Sequence, residues 1–151
     1  MPEQMILDGA VVPARFVLRE SPAPGEVPPA DSAIPLAAWL GLRESGFDLQ
    51  GVGVIVEGQD DLTPLEPHLP EVAVVVLRIP KFTDGRAYSH ARRLRAAWGY
   101  RGVVLASGDV LRDQLVYLAR AGVNAFYMRE DQDLRASLGA FSLFSAFYQP
   151  S

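Results

Sequence analysis

An α/β fold, with a short parallel β-sheet and βαβ crossover helices, is what this sequence predicts, and three observations lead there. The run from Val72 to Ile79 is apolar almost without alternation, the pattern of a strand buried on both faces. On either side of it, short β-branched runs alternate with helical stretches that end at glycine. Polar and charged residues cluster directly after these runs, where parallel sheets bind their ligands.

Taken in order, Met5-Ile6-Leu7 and Ala10-Val11-Val12 flank Asp8-Gly9, a strong hairpin signal. Arg15 to Leu18 adds a further strand. Ser21 to Pro35 holds six prolines or glycines among its turn residues and reads as a connector. The chain thus divides into an N-terminal hairpin (1–20), a Pro-rich connector (21–35) and an α/β core (36–151) of one domain. Pro35 opens a helix that runs to Ser45 and stops at Gly46, with Trp39 on its core side. Val52 to Glu57 is the next strand. Pro64 and Pro67 keep any helix between Asp60 and Leu69 short or broken. Gly85 to Trp98 is a helix, Val103 to Ala106 a strand, and Asp109 to Ala121 a helix capped by Asp109 and ended by Gly122. Ala125 to Met128 and Leu134 to Phe144 complete the alternation. Right-handed crossovers follow from it, and both a doubly wound sheet and a partial barrel fit.

At 151 residues, folding buries about 70% of the extended chain's surface, enough for a core without staples. There is no cysteine, so disulfides, thiolate metal sites, iron–sulfur ligation and thiol redox steps are excluded. No flavin, nicotinamide, haem or zinc motif occurs either. The first residues, Met1-Pro2-Glu3-Gln4, have neither the basic nor the apolar part of a secretory leader, and the longest apolar run is far too short to span a bilayer. A soluble cytoplasmic protein is expected. The net charge of −4 disfavours nucleic acid as a partner. That charge is uneven. From Arg78 to Arg101, seven basic residues face one acid, Asp84, so this segment carries +6 on an acidic body. Such a patch suits a small anion or an acidic protein surface.

Three strand ends feed the candidate site. The first leads into Lys81-Phe82-Thr83-Asp84-Gly85-Arg86, the second into Ser107-Gly108-Asp109 with Arg112, Asp113 and Gln114 a turn later, and the third into Arg129-Glu130-Asp131. At about 100° per residue, Ala87, Ala91, Leu94 and Trp98 form the packing stripe of the helix after the first loop. Tyr88, Arg92 and Arg95 lie just beside it, so Arg92 and Arg95 are expected to be half-buried and Arg93 solvated. A guanidinium in that position needs a partner. Two readings stay open: an internal network with Asp84, Asp109 and Asp113, or an anion clamp using Lys81, Arg86, Tyr88 and Arg92. Ser89 has no base placed by the sequence, and His68 and His90 lack metal-ligand spacing. Phe141, Phe144, Phe147 and Tyr148 form core or, if exposed, a surface for homo-oligomer contact.

The run Ile79-Pro80-Lys81-Phe82-Thr83-Asp84-Gly85-Arg86-Ala87-Tyr88-Ser89, continuing through Ala91-Arg92, Leu94-Arg95 and Gly99-Tyr100-Arg101-Gly102, closely resembles a bacterial domain-of-unknown-function family, as does Gly108-Asp109-Val110-Leu111-Arg112-Asp113-Gln114-Leu115. Members of that family are commonly labelled oxidoreductases of sulfite reduction, because their genes neighbour those of sulfite reductase. The motif positions that match are Lys81, Asp84, Arg86, Tyr88, Ser89, Arg92, Arg95, Asp109, Arg112, Asp113 and Gln114. Ala121 stands where cysteine is frequent in the family, so a redox role for that cysteine would be closed to this chain. What the resemblance implies is a pathway: an accessory protein of assimilatory sulfite reduction, with sulfite reductase or its electron donor as a partner. A small enzyme of the same pathway, with Tyr88 or Asp113 as acid or base, and a purely structural protein are the alternatives.

Overall fold

The computed structural model describes residues 2–23, 25–81 and 85–145, with side chains as far as residue 139. The N-terminal hairpin forms as expected: β1 (Gln4–Leu7) pairs antiparallel with β2 (Ala10–Pro13). Asp8 and Gly9 both take positive φ, 50° and 82°, as a two-residue turn that follows strand twist requires. The remaining strands are β3 (Val17–Leu18), β4 (Ser32–Pro35), β5 (Gly53–Val56), β6 (Val74–Ile79), β7 (Val103–Gly108) and β8 (Ala125–Phe126). Among the described residues they make an eight-stranded sheet in the order β2-β1-β8-β7-β6-β5-β4-β3. From β3 to β8 every pairing is parallel. The sheet is larger than the strand–helix alternation alone suggests. The tail of the Pro-rich connector supplies β4, and Arg15 to Leu18 contributes only a two-residue strand.

Chain length alone forces this sheet to curl. In a flat sheet, the seven spacings between β2 and β3 would place them about 34 Å apart. The chain crosses from one to the other through Ala14, Arg15 and Phe16, whose reach is roughly 14 Å. The two edges must therefore approach each other. The Tyr127 hydroxyl, one residue past β8, donates to the Phe16 carbonyl at 2.6 Å and accepts the Phe16 N–H at 2.9 Å. One tyrosine thus joins elements separated by five strand spacings. The partial barrel is the correct form of the α/β fold.

The helices settle the other alternative. They are α1 (Leu36–Glu44), α2 (Arg86–Arg92), α3 (Leu115–Ala121) and α4 (Leu134–Ser145). All of them pack on the outer face, where Leu36, Trp39, Ala91, Leu94, Leu118 and Leu138 join Val75, Leu77 and Ile79 of β6. The inner face holds Met5, Phe16, Ala33, Ile55, Val74, Val76, Leu105, Ala125 and Tyr127, with no helix among them. A doubly wound sheet would carry helices on both faces. Here the crossing segment fills the inside instead, and Phe16, fully buried, contributes on the order of 1.5–3 kcal/mol.

Local departures from the expected elements have physical causes. Pro64, Pro67 and Pro70 hold Thr63–Glu71 to a 3₁₀ helix. Asp109 does not cap a helix: a 3₁₀ turn at Arg112–Gln114 precedes α3, and the Gln114 side chain accepts the Leu111 N–H at 2.9 Å. After α2 the helix widens to a π turn over Arg93–Ala97, which ends with the Tyr100 N–H on the Leu94 carbonyl at 2.8 Å. No helix among the described residues is long and apolar enough to cross a membrane.

Candidate functional site

The parallel strands have a carboxyl end and an amino end, and the candidate residues divide between them. Helix α2 starts at the carboxyl end, just past β6, and runs back towards the amino end. It therefore carries its early and late residues to different places.

At the carboxyl end, Lys81 is exposed immediately after β6, while Asp84 lies outside the described residues. Arg86 opens α2 with its aliphatic stem against Gly58, where a Cβ would come within 3.3 Å of Arg86 Cδ. Tyr88 is half-buried. Burial raises the pKa of its phenol, and the nearby charges of Asp113 and Tyr117 raise it further, so it is neutral at neutral pH. The Ser89 hydroxyl donates to the Gly85 carbonyl at 3.4 Å, a bond to the start of its own helix. Arg112 and Asp113 are exposed on the turn after β7. The Arg112 N–H meets the Gln132 side-chain oxygen at 3.2 Å.

The acid at this end already has a partner that the sequence did not point to. Arg129, after β8, donates to Asp109 at 3.1 Å and to both oxygens of Asp131 at 2.6 Å. Its guanidinium holds the Asp131 carboxyl down to about 2, and the two carboxylates raise the pKa of Arg129 in return. Asp109 thus ties the second strand end to the third. Among the described residues, Lys81, Arg92 and Arg112 make no ion pair.

Arg95 belongs to the opposite end. Its guanidinium donates to the carbonyls of Gly122 (2.8 Å), Tyr100 (2.8 Å) and Gly102 (2.7 Å) and to Asn124 Oδ1 (3.1 Å). Gly102 and Asn124 directly precede β7 and β8, so this arginine gathers the loops that enter both strands. Gly122 is required there: it has φ 121°, and a Cβ on it would come within 2.3 Å of Arg95 Cγ. The half-buried pair expected from helical angles is therefore corrected. Arg92 is exposed, and the partners of Arg95 include backbone carbonyls and an amide in place of the expected aspartates alone. The π turn, which contains Arg95, breaks the 100° step on which the pairing rested.

A second polar set at the carboxyl end lies on the inner face. Arg78 follows Val74 and Val76 on that face, and it sits in register with Ser107 of β7. Glu57, one step past the pairing of Val56 with Leu77, flanks it on one side, and Tyr127 follows Ser107 on the other. The period-two count along β6 could have found Arg78, which breaks an otherwise apolar strand. Phe141, Phe144, Phe147 and Tyr148, expected as core or a contact face, lie outside the described side chains. No group of three metal-ligating side chains is found among the described residues.

The fold and the two polar sets define a curled parallel α/β protein with a charged rim at the carboxyl end and an arginine-tied base. The family model for a bacterial protein of unknown function (DUF934) matches residues 53–151, from β5 onward, and the chain belongs to that family. No curated protein matches the chain.

Proposed function

We propose that this protein is an accessory component of assimilatory sulfite reduction, and that its carboxyl-end rim binds an anion. The anion is a small oxyanion, a nucleotide-like ligand, or an acidic surface of sulfite reductase or its electron donor. The pathway rests on the resemblance of the Ile79–Gly102 and Gly108–Leu115 motifs to proteins whose genes neighbour those of sulfite reductase. The binding role rests on one observation: Lys81 and Arg112 are exposed beside the strand ends without ion pairs among the described residues, while the nearby acid Asp109 is engaged by Arg129. Cations at that place, on a body of net charge −4, are poised for an incoming anion.

The enzyme reading draws less support. Tyr88 is held protonated at neutral pH, which leaves it able to donate a proton but poor at accepting one, and Asp113 is exposed to solvent. A thermal-shift panel of sulfite, sulfate, phosphate, adenylyl sulfate, flavins and nicotinamide nucleotides tests the binding role. A ligand at a hundred times its dissociation constant adds about 2.7 kcal/mol, a rise of several degrees. The expected result is a rise that disappears in Arg112→Glu. A flat panel, together with unchanged co-purification of sulfite reductase with Arg112→Glu and Lys81→Glu, would overturn the proposal.

A further inference from the structure

The inner-face set around Arg78 has no place in the rim just described, and its guanidinium is paired with a side chain from a distant strand end. Arg78 projects at the carboxyl end of the curled sheet, three-quarters buried. One amino group of its guanidinium donates to Glu20 at 2.6 Å. Its Nε is buried and has no hydrogen-bond partner among the described residues, and the Glu57 carboxylate stands 3.9 Å from it. Ser107, in register beside it, makes no hydrogen bond through its hydroxyl among the described residues.

Two features single out Glu20 as a stand-in. It reaches Arg78 from just beyond β3, across β4 and β5, over the concave face of the curled sheet. It is also the most exposed member of the cluster, with 62% of its side chain open to solvent against 41% for Glu57. An exposed ion pair held by one hydrogen bond is easily exchanged. A buried N–H without an acceptor is costly, and a guanidinium satisfies itself best with two coplanar oxygens received side-on through Nε and Nη. Glu20 supplies only one such bond. A free carboxylate, not tethered to β3, can supply both, with the Ser107 hydroxyl as a further donor.

We propose that the mouth of the half-barrel is a binding site for the carboxylate group of a small ligand, received by Arg78 and Ser107 in place of Glu20. The site is separate from the rim of Lys81 and Arg112, and it stands or falls independently of the sulfite-reduction reading. Glu20 then acts as an internal competitor whose removal strengthens binding.

The test titrates the full-length protein with propionate and malonate, followed by amide chemical shifts of residues 78, 107 and 20, with sulfate as the tetrahedral comparison. Both carboxylates are expected to shift those amides. The Glu20→Gln variant is expected to tighten their binding several-fold, and Arg78→Lys, which keeps the charge but loses the side-on fork, to weaken it by roughly tenfold or more. Arg112→Glu should leave these titrations unchanged. The proposal is overturned if Glu20→Gln leaves carboxylate affinity where it was, a result that holds even if Arg78→Lys fails to fold. It is also overturned if binding survives Arg78→Lys but is lost in Arg112→Glu, which would place the anion on the outer rim.

Discussion

The two ends of this sheet use arginine in opposite ways. At the amino end, Arg95 has three carbonyl acceptors and an amide oxygen within 3.1 Å, and it joins the turns that enter β7 and β8. At the carboxyl end, Arg78 has a buried Nε with no acceptor among the described residues, and Arg112 and Lys81 stand exposed. A fully satisfied cation locks the backbone around it, whereas an incompletely satisfied one has capacity left for another molecule. The division matches the general behaviour of parallel α/β sheets, in which the amino end serves stability and the carboxyl end serves binding.

The strongest way to break this comparison is to remove Arg95. Arg95→Ala removes the guanidinium from three carbonyls and from Asn124 Oδ1, which keeps the Val104 N–H, and opens a gap against Gly122, so it is expected to cost on the order of 3 kcal/mol. Urea unfolding with an unchanged m-value would measure it. Arg95→Lys should recover only a small part, since an ammonium cannot reach acceptors spread around a planar fork. A cost below about 1 kcal/mol for Arg95→Ala would mean that the amino end is not held in this way.

Tyr100 sharpens the same contrast with a smaller effect. It is buried beside Arg95, and its hydroxyl donates to the Val72 carbonyl at 2.8 Å. Tyr100→Phe strands that carbonyl and should cost about 1–2 kcal/mol. Burial also raises the phenol's pKa well above its ordinary value of 10.0, against the pull of Arg95. The folded state therefore binds this proton more tightly than the unfolded state does. Its contribution is complete below pH 10 and is lost as the pH rises towards the folded-state value. Tyr100→Phe should flatten the decline in stability above pH 10, with Tyr88 and Tyr127, also raised, carrying what remains.

Much of this was legible in the residues, and the parts that were not share a cause. Strand and helix positions from Val52 onward followed from apolar runs and glycine stops, and the Asp8-Gly9 hairpin from its turn chemistry. The sequence left the curled sheet as one of two forms and could not choose it, because the choice depends on pairing β3 and β4 with β5 across a connector whose composition marks it only as loop. Arg95 was placed in the wrong company for a different reason. Its helix is regular only to Arg92, and three of its partners are carbonyls, which every residue carries and no motif reveals. Arg129 was placed at the rim with its loop, but its pairing was not foreseen, because its two acids lie in different segments, Asp131 beside it and Asp109 twenty residues earlier.

The smallest expected effect concerns that last arginine, and it probes the carboxyl end directly. The Arg129 pair with Asp131 is open to solvent, where screening reduces what an ion pair contributes. Arg129→Gln should therefore lower the melting temperature least of the three changes. The local signature should be clear all the same. Asp131 is held at about 2, chiefly by the hydrogen bonds from Arg129, so whatever it adds to stability is present above the ordinary carboxylate range and fades as the pH falls towards 2. In Arg129→Gln, the carboxyl titration followed by carbon NMR should return to about 3.9. Asp109 loses the same guanidinium, which leaves an unopposed carboxylate at the rim. Anion binding at Arg112 should weaken accordingly, since like charges close together repel. If Arg129→Gln instead destabilised the fold as much as Arg95→Ala does, the carboxyl end would be a structural network too, and the contrast between the two ends would disappear.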